Sequence, residues 1–259
     1  MILTDTAQII TKPAKIVSLV PSQTSLLHYL GADESVIGIT KFCIHPAEWH
    51  QNKPRIGGTK ALDVEKIILM EPDLIIANKE ENIKDQVEAL AEKFPVWVTD
   101  VNNLEDAYLM IQDIGVMLQK QTTAHQLIES IKDSFDNLEK KDTAINTAYL
   151  IWKDPYMTIG GDTFIHDLMK RAGFINVFAH KKRYPELTIE QIKSAHCKLI
   201  LLSSEPYPFQ EKHLLEWKQL LPEVEVKLVD GEMFSWYGSH LLKSCAYFEN
   251  LHQTLTIAK

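Results

Sequence analysis

The chain has 259 residues and a formal net charge of −8, and 45% of its residues are hydrophobic. This composition is that of a globular protein with a substantial core, in one large domain or two lobes. The acidic balance argues against general binding to nucleic acids or anionic membranes, because both need a basic protein face. The sequence contains no apolar run near the roughly 20 residues that a membrane-spanning helix needs.

The N-terminal segment MILTDTAQIITKPAK lacks the basic start and apolar stretch of a secretory signal, so the sequence predicts no leader in this chain. The first cysteine, Cys43, lies too far along the chain for a lipid anchor. Three cysteines without a CxxC pair fit a reducing compartment better than a disulfide scaffold.

The first half of the chain predicts alternating strands and helices. Residues 15–20, KIVSLV, are typical of a buried strand, and the helix after them should end at Gly31. Residues 63–77, DVEKIILMEPDLIIA, predict a short helix capped by Asp63 and then a strand of a parallel sheet. Residues 96–100, VWVTD, predict a further strand that ends at an aspartate.

Residues 104–141 separate the two halves and contain one glycine and no proline. Their apolar side chains recur at helical spacing, which predicts two helices, the second from about Thr122 to Lys140. A helix in place of a Gly/Ser-rich tether predicts a stiff connection. We therefore expect an N-terminal α/β lobe at 14–118, a connecting backbone helix at 119–142 and a C-terminal α/β lobe at 143–259.

The second half repeats the plan of the first. Residues 188–202, TIEQIKSAHCKLILL, align without a gap with residues 63–77, and the residues that follow bring Glu205 into register with Glu80. VKLVD repeats the strand VWVTD, and TAYLIW repeats KIVSLV before a helix that should end at Gly173. The alternative is chance similarity between generic β/α units.

Aromatic residues gather in loops of the second half, where the carboxyl ends of parallel strands should place a ligand. The segment GEMFSWYGS (231–239) holds the densest group, between two glycines that predict a loop. We expect these rings to form a wall for a bulky, partly apolar ligand in a cleft between the lobes. The alternative is that they fill the space between the lobes. The aromatic candidates are Trp152, Tyr156, Tyr184, Tyr207, Phe234, Trp236 and Tyr237.

Cys43 and His45 are candidate metal ligands, because side chains two apart in an extended chain point to one face. They would reach a soft metal ion, or an axial position of corrinoid cobalt or haem iron. The alternative is a packed thiol beside a solvated histidine.

Charged side chains complete the candidate ligand site. Lys60 and Arg183 are candidates for carboxylate or phosphate groups of a ligand, and solvated surface charge is the alternative. Loops 41–45 and 78–81 should close the site from the first lobe, and Glu205 should join it from the second. The further candidate residues in these two loops are Phe42, Lys79 and Glu80.

Several motifs, in their order, resemble one known family. IVSLVPSQT, GGTK, EPDLIIA, a long central helix, GGDTFIHDLMKRAG and TIEQIKSAHCKLILLSS are similar to segments of the substrate-binding proteins of ABC importers with a helical backbone. This class serves vitamin B12, ferric siderophores and haem, and the resemblance covers about residues 14–256. It implies an α/β fold of two Rossmann-like lobes joined by a single long helix, with a ligand cleft between the lobes, and periplasmic residence.

The resemblance also implies docking on an ABC permease through an acidic residue on each lobe. Asp162 in GGDT stands where the second lobe would offer one, and it should also cap the helix that follows. The first-lobe position falls near Lys84, and Glu81 lies close to it.

The sequence offers no specific support for catalysis. It contains no GxSxG, HExxH, P-loop or GxGxxG motif, and His28, His125, His213 and His252 fall in predicted helices. We expect a monomeric, non-enzymatic protein that binds a corrinoid or a ferric chelate. Two alternatives stay open: a cytosolic relative acting as cofactor carrier, sensor or enzyme, and a partner-binding module with a flat aromatic face.

Overall fold

The computed structural model describes residues 1–139 and 144–256. These residues form two compact units. The first unit comprises Met1–Val101, Glu105–Ile131 and Tyr237–His240, and the second holds the remaining described residues. The lobe boundaries expected from the sequence stay predictions, and residues 140–143 of the expected connecting segment lie outside the described residues.

The first unit is built on parallel strands with an apolar core. Its strands are β1 (Ile2–Leu3), β2 (Ile16–Ser18), β3 (Val36–Ile39), the hairpin β4 (Gly57–Gly58) and β5 (Ala61–Leu62), β6 (Leu74–Asn78) and β7 (Val96–Thr99). Apart from the hairpin they form one sheet in the order β1-β7-β6-β2-β3, with every pairing parallel. Strand β6 is buried along its whole length, which explains its unbroken apolar run.

Helices cover the strands of the first unit. They are α1 (Pro21–Tyr29), α2 (Ala47–Asn52), α3 (Val64–Met70), α4 (Lys84–Ala91), α5 (Leu104–Met117) and α6 (Gln121–Asp136). Helix α6 passes from the first unit into the second after Ile131. Helix α6 has Asp136 as its last residue, and the backbone then tightens, with the N–H of Leu138 donating to the carbonyl of Phe135. The expected end at about Lys140 lies outside the described residues.

The second unit has a mixed sheet. Its strands are β8 (Ile145–Trp152), β9 (Tyr156–Thr158), β10 (Phe174–Asn176), β11 (Glu186–Leu187), β12 (Leu199–Ser203) and β13 (Glu225–Val229). They run in the order β11-β9-β8-β12-β13, and β10 also pairs with β8. Strand β9 is antiparallel to both of its neighbours, β8 and β11. Its helices are α7 (Phe164–Arg171), α8 (Ile189–Ser194), α9 (Glu211–Leu220), α10 (Glu232–Ser235) and α11 (Leu241–Thr254).

The structure confirms the internal repeat. Strand order β7-β6-β2-β3 in the first sheet corresponds to β13-β12-β8-β10 in the second, and these pairings are parallel in both. The side chains of Asp63 and Thr188 cap α3 and α8, as expected. The preceding helices of the two halves end next to Gly31 and Gly173, which both have positive φ angles.

None of the helices within the described residues combines the length and apolar character that a membrane crossing requires.

Candidate functional site

A network of buried amide and hydroxyl groups holds the loop after β6 in the first unit. Asn78, the last residue of β6, accepts the backbone N–H groups of Glu80 and Glu81 through Oδ1, at 2.9 and 3.1 Å. Its Nδ2 donates to the carbonyl and the hydroxyl oxygen of Thr99, each at 3.1 Å. Gln23 on α1 also donates to the Thr99 hydroxyl. The backbone at the carboxyl edge of this sheet is therefore fixed from inside the protein.

Asn82 ties this loop to two others. Its Oδ1 accepts the backbone N–H of Asn78 at 2.9 Å, and its Nδ2 lies within 3.4 Å of the carbonyls of Thr59 and Leu19. The sequence analysis missed the amides Gln23, Asn78 and Asn82. The available signal was an asparagine directly after the apolar run LIIA, where a buried strand meets a loop.

The charged candidates of the first unit make contacts inside that unit. Lys60 donates its ammonium group to the carbonyl oxygen of Glu80. Lys79 forms an ion pair with Asp100, with 2.6 Å between Nζ and Oδ2. Lys60 and Lys79 are exposed, whereas Glu80 and Glu81 are half-buried. The structure thus brings Lys60 to the 78–81 loop, as part of its support.

The segment KFCIHP places its neighbouring side chains in different surroundings. The Phe42 ring is 51% exposed and lies over Gly58, where a Cβ atom would come within 3.1 Å of the ring. Cys43 is fully buried, with its Sγ 3.1 and 3.2 Å from the hydroxyl oxygens of Thr24 and Thr40. Burial raises the pKa of the Cys43 thiol, which keeps it protonated and unreactive. Cys43 therefore has the packed environment that was the alternative to metal ligation.

His45 lies beside a histidine that the sequence analysis did not select. Its ring centroid is 5.9 Å from that of His240, and both residues belong to the first unit. Among residues 1–139 and 144–256, no three His, Cys, Asp or Glu side chains come together as a metal-binding group. A metal ion at His45 would thus need ligands of its own, as in a metal chelate.

The second unit presents a group of packed rings that we call the aromatic face, formed by Trp152, Tyr156, Tyr207 and Phe209. Trp152 is 39% exposed, and its ring meets Tyr207 edge-on at a centroid distance of 5.6 Å. Tyr207 also packs against Phe209 at 4.8 Å. Tyr156 packs on the buried Trp217 at 5.1 Å, so the face rests on the core of this unit.

The segment GEMFSWYGS is more ordered than the expected loop. Residues Glu232–Ser235 form the short helix α10. Phe234 is fully buried and packs against Tyr149 and Phe248 at centroid distances of 5.2 and 4.8 Å. The glycine at 231 is required by close approach, because a Cβ there would lie 2.4 Å from the Ser203 hydroxyl oxygen. Phe234 is thus a core residue in this structure, the environment least suited to ligand contact.

Glu205 holds the end of this segment. Its Oε1 accepts hydrogen bonds from the Trp236 indole N–H at 3.0 Å and the Ser235 hydroxyl at 2.5 Å. Burial, and then the nearby charge of Glu232, raise the pKa of the Glu205 carboxyl. Trp236 and Tyr237 are each 6% exposed. Glu205, Ser235 and Trp236 thus support one another, and little of the Trp236 or Tyr237 ring reaches solvent.

Asp162 and Arg183 form a second support in the second unit. Asp162 Oδ1 accepts the backbone N–H of Arg183 at 2.6 Å, and the Arg183 guanidinium donates to Asn102 Oδ1 at 3.1 Å. The expected cap at Asp162 is wrong, because the Thr163 hydroxyl accepts the N–H of His166 and caps α7. Asp162 instead fixes the loop that carries Arg183 and the half-buried Tyr184.

Comparison with known proteins adds evidence independent of this geometry. A family model described as "Periplasmic binding protein" matches residues 16–219. An uncharacterized ABC transporter substrate-binding lipoprotein of Bacillus subtilis (strain 168) is 28% identical over 193 residues, which cover 70% of this chain and 60% of that relative. The chain thus spans less than two thirds of the length of that lipoprotein.

Two further similarities extend over nearly the whole chain. The vitamin B12-binding protein of Vibrio campbellii (strain ATCC BAA-1116) is 21% identical over 252 residues, covering 92% of this chain and 90% of the relative. The apo form of the periplasmic haem-binding protein RhuT from Roseiflexus sp. RS-1 matches with a TM-score of 0.76 and 19% identity. That match covers 94% of this chain and 97% of the other, and it supports the fold alone.

Proposed function

Since the chain belongs to the periplasmic binding protein family, we propose that this substrate-binding protein captures a bulky metal-containing ligand for an ABC importer. The observation that carries the proposal is the family match over residues 16–219. The ligand class, a corrinoid or a ferric chelate, is supported by relatives named for vitamin B12 and haem. The cleft between the lobes, in which the ligand would lie, stays a prediction.

Each unit has exposed side chains that suit part of such a ligand. The aromatic face exposes the Trp152 ring, which suits the apolar part of a large macrocycle. Phe42 offers a second exposed ring, and Lys60 an exposed side chain two residues after Gly58, which the Phe42 ring overlies. The amide network around Asn78 fixes the first-unit loop in advance, so binding orders little additional backbone and loses less affinity to ordering.

We propose periplasmic or surface-anchored residence and an ABC permease as partner, as in the family. Glu81 and Asp162 remain the candidate docking residues. The Asp162 carboxylate already accepts a backbone N–H, so any docking contact would use its second oxygen. The comparisons give no support to the alternative of a cytosolic carrier, sensor or enzyme.

The direct test is calorimetric titration of the ligand-free protein with cyanocobalamin, cobinamide, haem and ferric siderophores. We expect saturable one-to-one binding of one of them with micromolar or tighter affinity. Trp152→Ala should weaken that binding, whereas Leu215→Ala, at an exposed apolar residue of α9, should leave it unchanged. If none of these compounds binds, the assignment to a metal-containing ligand is wrong.

A further inference from the structure

His213 is a buried histidine whose two ring nitrogens both have defined partners. It is the third residue of α9 and is 3% exposed. Its Nδ1 accepts the backbone N–H of Gln210 at 2.9 Å, and its Nε2 lies 3.3 Å from the hydroxyl oxygen of Tyr207. The His213 ring also meets the rings of Tyr207 and Phe209 edge-on, at 5.5 and 5.4 Å. One side chain thus links the start of α9 to the aromatic face.

These partners determine the tautomer of His213. A backbone N–H only donates, so Nδ1 must act as acceptor and carry no proton. A neutral imidazole then carries its proton on Nε2, which donates to the Tyr207 hydroxyl oxygen. An imidazolium ion, with protons on both nitrogens, would lose the bond from Gln210. Only the neutral ring therefore satisfies both contacts.

We propose that His213 is a positioning residue that ties Tyr207, and through it Trp152, to the start of α9, and that protonation of His213 in mild acid breaks this tie at the bond from Gln210. The effect on ligand binding rests on the proposed function. The link from Tyr207 to Trp152 is the edge-on contact at 5.6 Å, so a shift of one ring moves the other.

The charges around His213 favour its neutral form near pH 7. Burial lowers its pKa from the ordinary value of 6.5, and Lys153 and Lys212 lower it further. Glu216 and Asp154 act in the opposite direction, although the Glu216 carboxylate is itself paired with Lys153 at 2.5 Å. The Tyr207 hydroxyl and the Gln210 N–H are the polar groups bonded to the ring among the described residues. A depressed histidine pKa adds stability that is complete above pH 6.5 and is lost as the pH falls below it.

His213→Gln is the discriminating variant, because glutamine offers one acceptor and one donor at similar reach and does not titrate. Amide hydrogen exchange over residues 207–213, corrected for intrinsic rates, would be compared at pH 7.5 and 5.5 without ligand. The wild-type protein should lose protection at pH 5.5 and His213→Gln should not. Equal pH dependence in both proteins, or none in the wild type, would overturn the proposal.

A binding experiment with cyanocobalamin distinguishes a failure of this inference from a failure of the proposed function. Cyanocobalamin is titrated into both proteins at both pH values. The wild type should bind it roughly 2- to 10-fold more weakly at pH 5.5, as expected for one lost hydrogen bond, and His213→Gln should bind equally at both. If the exchange result holds and cyanocobalamin does not bind, His213 still positions the aromatic face, and the corrinoid assignment fails. If cyanocobalamin binds with the same pH dependence in both proteins, the positioning role is wrong.

Discussion

The loops that follow β6 and β12 occupy the same place in the repeated plan, yet they use their side chains in opposite ways. In the first unit, the final strand residue Asn78 accepts the N–H groups of Glu80 and Glu81. In the second, the final strand residue Ser203 accepts the N–H of Glu205 at 3.4 Å. Both strands thus end in a polar side chain that turns the loop.

The difference lies in what the loop residues do next. Lys60 and Lys79 of the first unit stay exposed around a backbone that amides hold in place. Glu205 of the second unit turns its carboxylate inward to Ser235 and Trp236, and the exposed surface is aromatic. One plan therefore supports a charged edge in one unit and an aromatic edge in the other, and neither property follows from the strand pattern.

Phe234→Ala should have the largest effect, because it removes a fully buried ring between Tyr149 and Phe248. We expect a loss of about 3–5 kcal/mol in the free energy of unfolding, measured by urea denaturation. The exposed Trp152→Ala should cost under about 1 kcal/mol. A Phe234→Ala protein with unchanged stability and weakened ligand binding would instead show that Phe234 contacts the ligand.

Asn78→Ala tests the first-unit edge in the same assay. It removes the acceptor of two backbone N–H groups and both donors to Thr99, in a site without solvent. We expect a loss of about 2–4 kcal/mol, and the exposed Asn250→Ala serves as control. Ser203→Ala removes one hydroxyl that contacts Tyr149 and the Glu205 backbone, and it should cost less, about 1–2 kcal/mol. Equal losses at both positions would remove the contrast between the two edges.

Trp236→Phe tests whether this indole supports Glu205 or a ligand. The change keeps an aromatic ring and removes the N–H donor to the carboxylate, which keeps its bond from Ser235. We expect the free energy of unfolding to fall by about 1–2 kcal/mol at pH 7.5, and less in acid, where Glu205 is protonated. Unchanged stability with weakened ligand binding would show that Trp236 belongs to the ligand wall.

Glu232 predicts a pH dependence that belongs to the second unit. Burial, and then the charge of Asp230, raise the pKa of its carboxyl to about 7 from an ordinary value of 4.5. The folded state therefore binds more protons than the unfolded state between these values, and stability falls as the pH rises through this window. Glu232→Gln should be more stable by about 1 kcal/mol at pH 8, after allowance for solvent screening, and equal at pH 4. Identical pH profiles of unfolding for the two proteins would contradict this.

The strands and the repeat could be predicted because apolar runs and cap residues are local signals. LIIA and LILL form the central strands β6 and β12, and Asp63 and Thr188 cap the expected helices. The amide network was not predictable, because it brings Gln23, Asn78 and Thr99 together from three separate segments of the chain. Gly231 predicted a loop. In the structure a glycine is needed there because Ser203, which is distant in sequence, leaves no room for a Cβ atom.

Individual site residues were harder to predict than elements. Trp152 is exposed and Phe234 is buried, yet their local sequences look alike, because Trp152 ends strand β8 and Phe234 lies shortly after β13, each in an aromatic-rich stretch. Their environments differ because α10 folds the second ring inward. Asp162 and Thr163 are both residue types that favour a helix N-cap. Thr163 caps α7, because the Asp162 carboxylate instead accepts the N–H of Arg183. The ligand contacts expected of these candidates stay predictions.

The assignment of Tyr237–His240 to the first unit has a consequence for dissecting the protein. Gly238 has a φ of 96°, and a Cβ there would lie 3.2 Å from Leu26, while the Ser239 hydroxyl oxygen lies 3.4 Å from that of Ser25. A fragment that stops anywhere before residue 237 therefore lacks a piece of the first unit. If the repeat arose by gene duplication, cutting the gene once at its midpoint no longer returns an intact ancestor, because the later half supplies part of the earlier one.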